Sequence, residues 1–430
     1  MIHEFSNKAQ YVIAISVDAL HAADLKQLKS LSNFNQIMEK GSYIKEMVGI
    51  YPSLTYPTHV SIMTGTYPDK HGIYANEKNQ PGVLMQEWYW HARNIKVPTI
   101  TELAVKHKKK VGVLFWPVMA GAKIHYNCPE IWPVRDREIQ LFLSLRNGTP
   151  LFLMDCYLRY GKILKGKEQP NLDDFTTACA GHMIRCKKPH LLLIHLIELD
   201  HERHIRGQSS HGISAVLDRQ NNRIGQIMDA VKQAGIYKDT AFLIFGDHGF
   251  LDFHSRICIN TVLVKEGLIT LDNKSNVLDW KAYVNSCDGS AQVYLRDPDD
   301  TLVSSKVLDI LLQLKNAHCD GIEAVYTKTD AALKRTAGDF EFMLEAKKGY
   351  AFANEWTGEL IQQRDGDYVA THGYDPMKPG YRTMMLAAGA GICQEIIAAA
   401  NIVDLAPTMA SLLGIPFPPV DGRVLKEILV

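Results

Sequence analysis

Short, almost wholly apolar runs that stop abruptly at acidic or small residues restrict the possible folds most. Tyr11–Val17 reads YVIAISV and stops at Asp18. Residues 111–115 (VGVLF) stop before Trp116-Pro117, and 191–199 (LLLIHLIEL) stop at Asp200. Residues 241–245 (AFLIF) stop at Gly246-Asp247-His248, and 384–388 (MMLAA) at Gly389. Runs of strand length without polar alternation suit a sheet buried on both faces. Helical patterns lie between them. In 213–234, Val216, Ile224, Ile227 and Val231 mark one face and Gly235 closes the segment. The expectation is an α/β fold with a mostly parallel central sheet sandwiched by helices. Ligands of such sheets gather at the carboxyl ends of the strands, where three of these five runs place an aspartate.

The character changes over 268–357. Strand-like 291–295 (AQVYL) and 340–344 (FEFML) flank a helix-like stretch at 304–316. This predicts an inserted α+β cap subdomain over 268–357, with 1–267 and 358–430 forming the catalytic core. Lys plus Arg equals Asp plus Glu, 47 each, so no basic excess points to a nucleic-acid polymer as partner. The densest basic run, 106–110, reads as a solvated helix end. The eight cysteines, Cys319 among them, are scattered without a C-x-x-C pair, which is the usage of a reducing compartment. The first residues lack the pattern of a secretory leader, and no apolar run reaches the roughly 18 residues of a membrane helix. A cytoplasmic protein without a membrane segment is expected, and its oligomeric state is left open.

The chemistry-bearing residues form an ordered set. Tyr51 to Gly65 reads YPSLTYPTHVSIMTG. Pro57 suits the first turn of a helix, which puts Thr55 just ahead of the helix N-terminus, where backbone N–H groups favour an anion. Taken alone, Thr55 reads as an N-cap at least as well as a nucleophile. Asp18, Asp247 and His248 follow strands, Asp200 and His204 are four apart, and His372-Gly373 follows the polar stretch from Asp365 through Asp367 to Tyr368. Carboxylates and imidazoles together suit zinc or another first-row divalent cation.

The order Asp18, Thr55 in YPSLTYPTH, Asp200-x-x-x-His204, Asp247-His248-Gly249 and His372-Gly373-Tyr374-Asp375 resembles the alkaline phosphatase superfamily. It is most similar to the nucleotide pyrophosphatase/phosphodiesterase branch, as are TGTYPDKHGI (from Thr64), LFWPV (from Leu114) and DLAPTMASLLGIPFP (from Asp404). The resemblance implies a hydrolase of small phosphoesters with two divalent metal ions, zinc or in its place manganese. One would be held by Asp200, His204 and His372, the other by Asp18, Asp247 and His248 with the Thr55 hydroxyl. Thr55 would be the covalent nucleophile of a phosphothreonine intermediate. Tyr56 and Thr58 are the implied substrate-binding residues. Thr58 stands where much of the branch has Asn, and His59 is a possible replacement donor. Trp116 reads as a core residue and His71 as a structural one, while His201 and His254 are assigned to no metal. Phosphodiesters or nucleotide pyrophosphates are the expected substrates, with phosphomonoesters or phosphonates as alternatives on the same scaffold. A non-catalytic metal- or phosphate-binding protein is the alternative from another class. A sulfatase is disfavoured, because 55–59 lacks the required Cys and Arg.

Overall fold

The computed structural model describes residues 8–134, 139–208, 211–318, 320–364, 366 and 368–430. Cys319, Asp365 and Asp367 lie outside them. Six strands, β1 (Tyr11–Val17), β2 (Ser42–Val48), β3 (Val111–Leu114), β4 (Tyr126–Cys128), β5 (Leu191–Leu196) and β6 (Thr240–Phe245), join Thr383–Gly389 and Ile396–Asn401 in one sheet. From one edge the order is Ile396–Asn401, β2, Thr383–Gly389, β6, β1, β5, β3, β4. Thr383–Gly389 is antiparallel to both its neighbours, and the other adjacent pairs are parallel. Val12, Ala14, Leu191, Leu193 and Leu243 enter one apolar cluster. Their alternates Ile13, Ile15, Leu192, Ile194 and Ile244 enter another. Successive side chains of a strand face opposite ways, so a sheet with apolar layers on both faces demands the unbroken runs seen in the sequence.

Two strands lack such a signal. β2 and Ile396–Asn401 form one side of the sheet and are partly exposed, so their sequences mix apolar and polar residues. The run at 191–199 is not all strand either. β5 ends at Leu196, and a helix, Glu198–Arg206, begins at once. The Asp173 carboxylate accepts the N–H groups of Ile197 and Glu198, both at 3.0 Å, and so satisfies donors at the start of that helix. Asp200 therefore stands in the first turn of a helix, and His204 one turn later.

Within 268–357, Ala282–Cys287, Ser290–Leu295, Phe342–Ala346 and Ile322–Thr327 form an antiparallel sheet, accompanied by a helix, Thr301–Gln313. Its apolar cluster includes Leu251 and Tyr381, so the packing extends past this segment on both sides. The turn between the first two strands carries Asp288 at φ 61°, which an aspartate tolerates, and then Gly289. A Cβ on Gly289 would lie 2.3 Å from the Tyr374 ring. That closeness lets the Gly289 N–H donate to the His372 carbonyl at 2.8 Å, while the Ser290 hydroxyl donates to the Gly373 carbonyl at 2.8 Å. The hairpin tip thus fastens the loop that carries His372. Buried Glu345 adds a second fastening, accepting from the Asp375 N–H (3.0 Å) and the Tyr51 hydroxyl (2.9 Å).

Candidate metal centre and active site

Thr55 is the first residue of the helix Thr55–Thr64, capped by Leu54 in extended conformation. Its hydroxyl caps nothing. Oγ1 lies 3.1 Å from His248 Nε2, at a site where Thr55 is only 8% exposed. Of the N–H groups at this helix start, that of Tyr56 donates to Asn76 Oδ1 at 2.9 Å, and Pro57 has none. Asn76, whose amide oxygen is thereby engaged, lines the same cavity as Thr55 and has its amino group left to donate.

Around Thr55 the strand ends converge. Asp18 Oδ1 lies 3.2 Å and Asp247 Oδ2 3.4 Å from His248 Nε2. The other Asp247 oxygen accepts the Ala19 N–H at 3.0 Å. His248 Nδ1 donates to its neighbour's carbonyl, Gly249, at 3.2 Å, which turns Nε2 toward Thr55 and the carboxylates. Asp200 Oδ1 is 3.8 Å from His372 Nε2, and Asp200 Oδ2 is 3.5 Å from His204 Nε2. His204 Nδ1 donates to the Ala370 carbonyl at 2.9 Å, so its Nε2 also faces inward. The rings of His248 and His372 stack at 3.9 Å. Ligand atoms of Asp18, Asp247 and His248 lie within 4.8 Å of one another, as do those of Asp200, His248 and His372. His248 in the second group, in place of the expected His204, reflects how closely the two groups abut.

The electrostatics call for cations. Asp18 Oδ1, Asp200 Oδ1 and Asp247 Oδ2 are buried and accept no hydrogen bond. Burial, reinforced by the Asp18 charge, raises Asp247 to about 7 and Asp200 well above the usual carboxylate range. Burial would depress His248, but Asp247 and Asp18 raise it to about 10, so a positive charge is favoured at its Nε2. Burial lowers His204 to about 4 and holds His372 well below its ordinary range, keeping both imidazoles neutral, the form that ligates a metal. Three orphaned carboxylate oxygens beside inward-facing imidazole nitrogens fit divalent metal ions.

Two further histidines support the centre. Burial would lower His195, yet it sits well above its ordinary range, because Nε2 meets Asp18 at 3.0 Å and Nδ1 meets Glu130 at 2.8 Å. This imidazolium between two carboxylates fixes the second Asp18 oxygen. Its one mark in the sequence is a histidine inside the apolar run LLLIHL. His59, considered as a replacement donor, is instead wholly buried. Its Nδ1 donates to the Thr55 carbonyl at 2.7 Å and its Nε2 accepts from Ser16 at 3.0 Å, which pins the first helical turn.

Tyr56 and Thr58 are the two residues expected to bind substrate. Tyr56 is fully buried in the core, its ring edge-on to Trp88 at 5.0 Å. Thr58 is fully buried as well, and its hydroxyl meets no partner. Neither lines the cavity. Helical geometry turns Tyr56 away from Thr55, whereas Thr58 lies on the Thr55 side but is wholly covered by surrounding structure; Asn76 lines the cavity beside Thr55. Trp116 is a core residue packed on His59 at 4.7 Å. His71 is buried between Ser61 Oγ (2.9 Å) and the Ile73 N–H (3.2 Å). His201 lines the cavity, and His254 pairs with Ser255 outside the cluster. The cavity, about 760 Å³, extends from Thr55 and Asp200 past Trp88 and Trp132 to Arg256 and Asp288. Among the described residues, no helix is long and apolar enough to cross a membrane.

Residues 12–375 match the family model of type I phosphodiesterase / nucleotide pyrophosphatase, and the chain belongs to that family. This places it in the nucleotide pyrophosphatase/phosphodiesterase branch of the alkaline phosphatase superfamily. Human ectonucleotide pyrophosphatase/phosphodiesterase family member 1 is 25% identical over 228 residues, covering 50% of this chain and 20% of that protein. A venom phosphodiesterase of Macrovipera lebetinus is 24% identical over 255 residues, 55% of this chain and 25% of that one. The chain thus spans about a quarter or less of the length of these relatives. Murine ectonucleotide pyrophosphatase/phosphodiesterase 5, solved as an inactive form in complex with AMP, shares the fold. Its TM-score is 0.68 at 18% identity, covering 98% of this chain and all of that one.

Proposed function

We propose that the protein hydrolyses phosphodiesters, nucleotide pyrophosphate-type substrates included, with Thr55 as nucleophile and two divalent metal ions, zinc or manganese, as cofactors. The observation that carries this is the Thr55 hydroxyl, buried without a capping role, 3.1 Å from His248 and beside orphaned carboxylate oxygens. Asp18, Asp247 and His248 would hold one ion, and Asp200, His204 and His372 the other. Such ions lower the pKa of a bound hydroxyl and neutralise charge at phosphorus. The chain's own residues do the rest. The Thr55 hydroxyl gives up its proton to solvent, Oγ1 bonds to phosphorus, and the P–O bond to the leaving group breaks, releasing an alkoxide from a diester or a phosphate from a pyrophosphate. Water then hydrolyses the Thr55 phosphoester, restoring the hydroxyl and releasing the phosphomonoester. His59 holds the Thr55 backbone in place. Asn76 donates to a phosphate oxygen, its amide oriented by the Tyr56 N–H. The apolar walls at Trp88 and Trp132 leave room for a second phosphate substituent, which favours diesters over monoesters. The free state of the described cysteines supports a reducing compartment, whereas the relatives are named as ecto- and venom enzymes.

The test combines metal analysis with bis-p-nitrophenyl phosphate, p-nitrophenyl phosphate and p-nitrophenyl phenylphosphonate. The expected result is metal-dependent turnover that is fastest on the diester. No turnover of any of them, or of a nucleotide diester, by the metal-loaded protein would refute the reading.

A further inference from the structure

Two helices, Gln140–Asn147 and Pro150–Tyr160, pack together at the margin of the molecule. The second buries Phe152, Leu153 and Cys156 on one face, with Phe152 against Tyr126 at 5.6 Å. Its opposite face is apolar too. Leu151, Met154 and Leu158 follow the i, i+3, i+7 rule and are 86%, 39% and 78% exposed. Ile139 and Phe142, at and just after the start of the first helix, are 60% and 68% exposed. A helix needs one apolar stripe to join a core, so a second stripe on the far side is unexplained by folding.

The charge around this surface is as uneven as its polarity. The whole chain is balanced at 47 cations and 47 anions. Residues 139–168, however, carry Arg146, Arg159, Lys162, Lys165 and Lys167 against the carboxylates of Asp155 and Glu168 alone. All five cations are exposed. The segment is also continuous with the wall of the cavity. Glu130 and Trp132 line it just before the helices, and Lys167 and Gln169 just after. The Gln140 side chain ties the first helix to that wall by donating to the Ile131 carbonyl at 2.6 Å.

We propose that this helical hairpin docks the protein on an anionic lipid surface, with the exposed apolar side chains entering the headgroup boundary and the basic rim facing acidic headgroups. An exposed apolar face rimmed by Lys and Arg is the signature of a helix lying in a membrane interface. A second copy of the chain is a poorer occupant. Arg159 is paired with Asp155 at 2.7 Å and Lys167 lies over the Trp132 ring at 5.2 Å, and a two-fold contact would still bring Arg146, Lys162 and Lys165 against their own copies. Docking would set the mouth of the cavity beside the lipid surface.

The experiment is cosedimentation of the full chain with vesicles of phosphatidylcholine alone, or of phosphatidylcholine mixed with phosphatidylglycerol, at low and high salt. The wild type should bind the mixed vesicles, weakly or not at all the neutral ones, and less at high salt. The triple variant Phe142→Ser, Leu151→Ser, Leu158→Ser should lose roughly tenfold or more in binding. It should keep its thermal transition, because all three residues are exposed. Lys162→Glu with Lys165→Glu should lose binding to the mixed vesicles while leaving the apolar face intact. Failure of the wild type to bind the mixed vesicles would overturn the proposal. So would binding that neither variant weakens, or a concentration-dependent dimer that the triple variant dissolves.

Discussion

The carboxyl edge of the central sheet and the Asp288 hairpin meet at His372, and they contribute different things. The sheet edge offers side chains. Asp18, Asp247 and His248 stand where buried strands end, and their carboxylates and imidazoles are the chemistry. The hairpin offers backbone. Gly289 donates its N–H to His372, and the nearby Ser290 hydroxyl reaches the Gly373 carbonyl. One region would decide what the centre binds, and the other holds in place the loop of His372, a proposed ligand. Substitutions should therefore fail in distinct ways in the two regions.

The largest effect should come from Asp247→Ala. It removes an orphaned carboxylate oxygen and the acceptor of the Ala19 N–H, so bound metal and turnover should be lost together. Undiminished metal content by elemental analysis would show that the ligand set is wrong. Asn76→Ala should separate binding from chemistry. Metal content should hold while kcat falls by about 10² to 10³, the cost of one donor to a charge-bearing oxygen. An unchanged kcat would remove Asn76 from the site. Gly373→Ala should act as damage to the hairpin contact. Gly373 has φ +83°, and a Cβ there would lie 1.9 Å from the Cys287 carbonyl oxygen. A loss of about 2 kcal/mol or more is expected from left-handed strain and steric clash. Denaturation should show it, with metal affinity weakened less than in Asp247→Ala. Wild-type stability in this variant would mean the hairpin is not fastened there.

This division also explains how much is legible in the sequence. Strands buried on both faces announce themselves as unbroken apolar runs, and aspartates at their ends are conspicuous. Asp18 and Asp247 therefore stand out in the sequence itself. β2 and Ile396–Asn401 do not, since partial exposure mixes their composition. Asp200 is legible as a residue but reads as a strand end, because the helix start is nucleated by Asp173, 27 residues earlier in the chain. Tyr56 and Thr58 draw attention by their nearness to Thr55 in sequence, yet the next residue of a helix points elsewhere, and Thr58, on the Thr55 side, is wholly covered by surrounding structure that the sequence does not announce. Asn76 leaves no local mark at all. Its proposed role depends on a hydrogen bond from the Tyr56 N–H that exists only after the loop folds back. The same holds for His195 and Glu130, whose pairing joins distant segments.

The most direct test of the central claim is a paired measurement on Thr55→Ala: divalent metal content and hydrolysis of bis-p-nitrophenyl phosphate. With Thr55 as the nucleophile, metal content should be retained while turnover drops by about 10³-fold or more. Turnover close to wild type in a metal-replete Thr55→Ala protein would contradict the account.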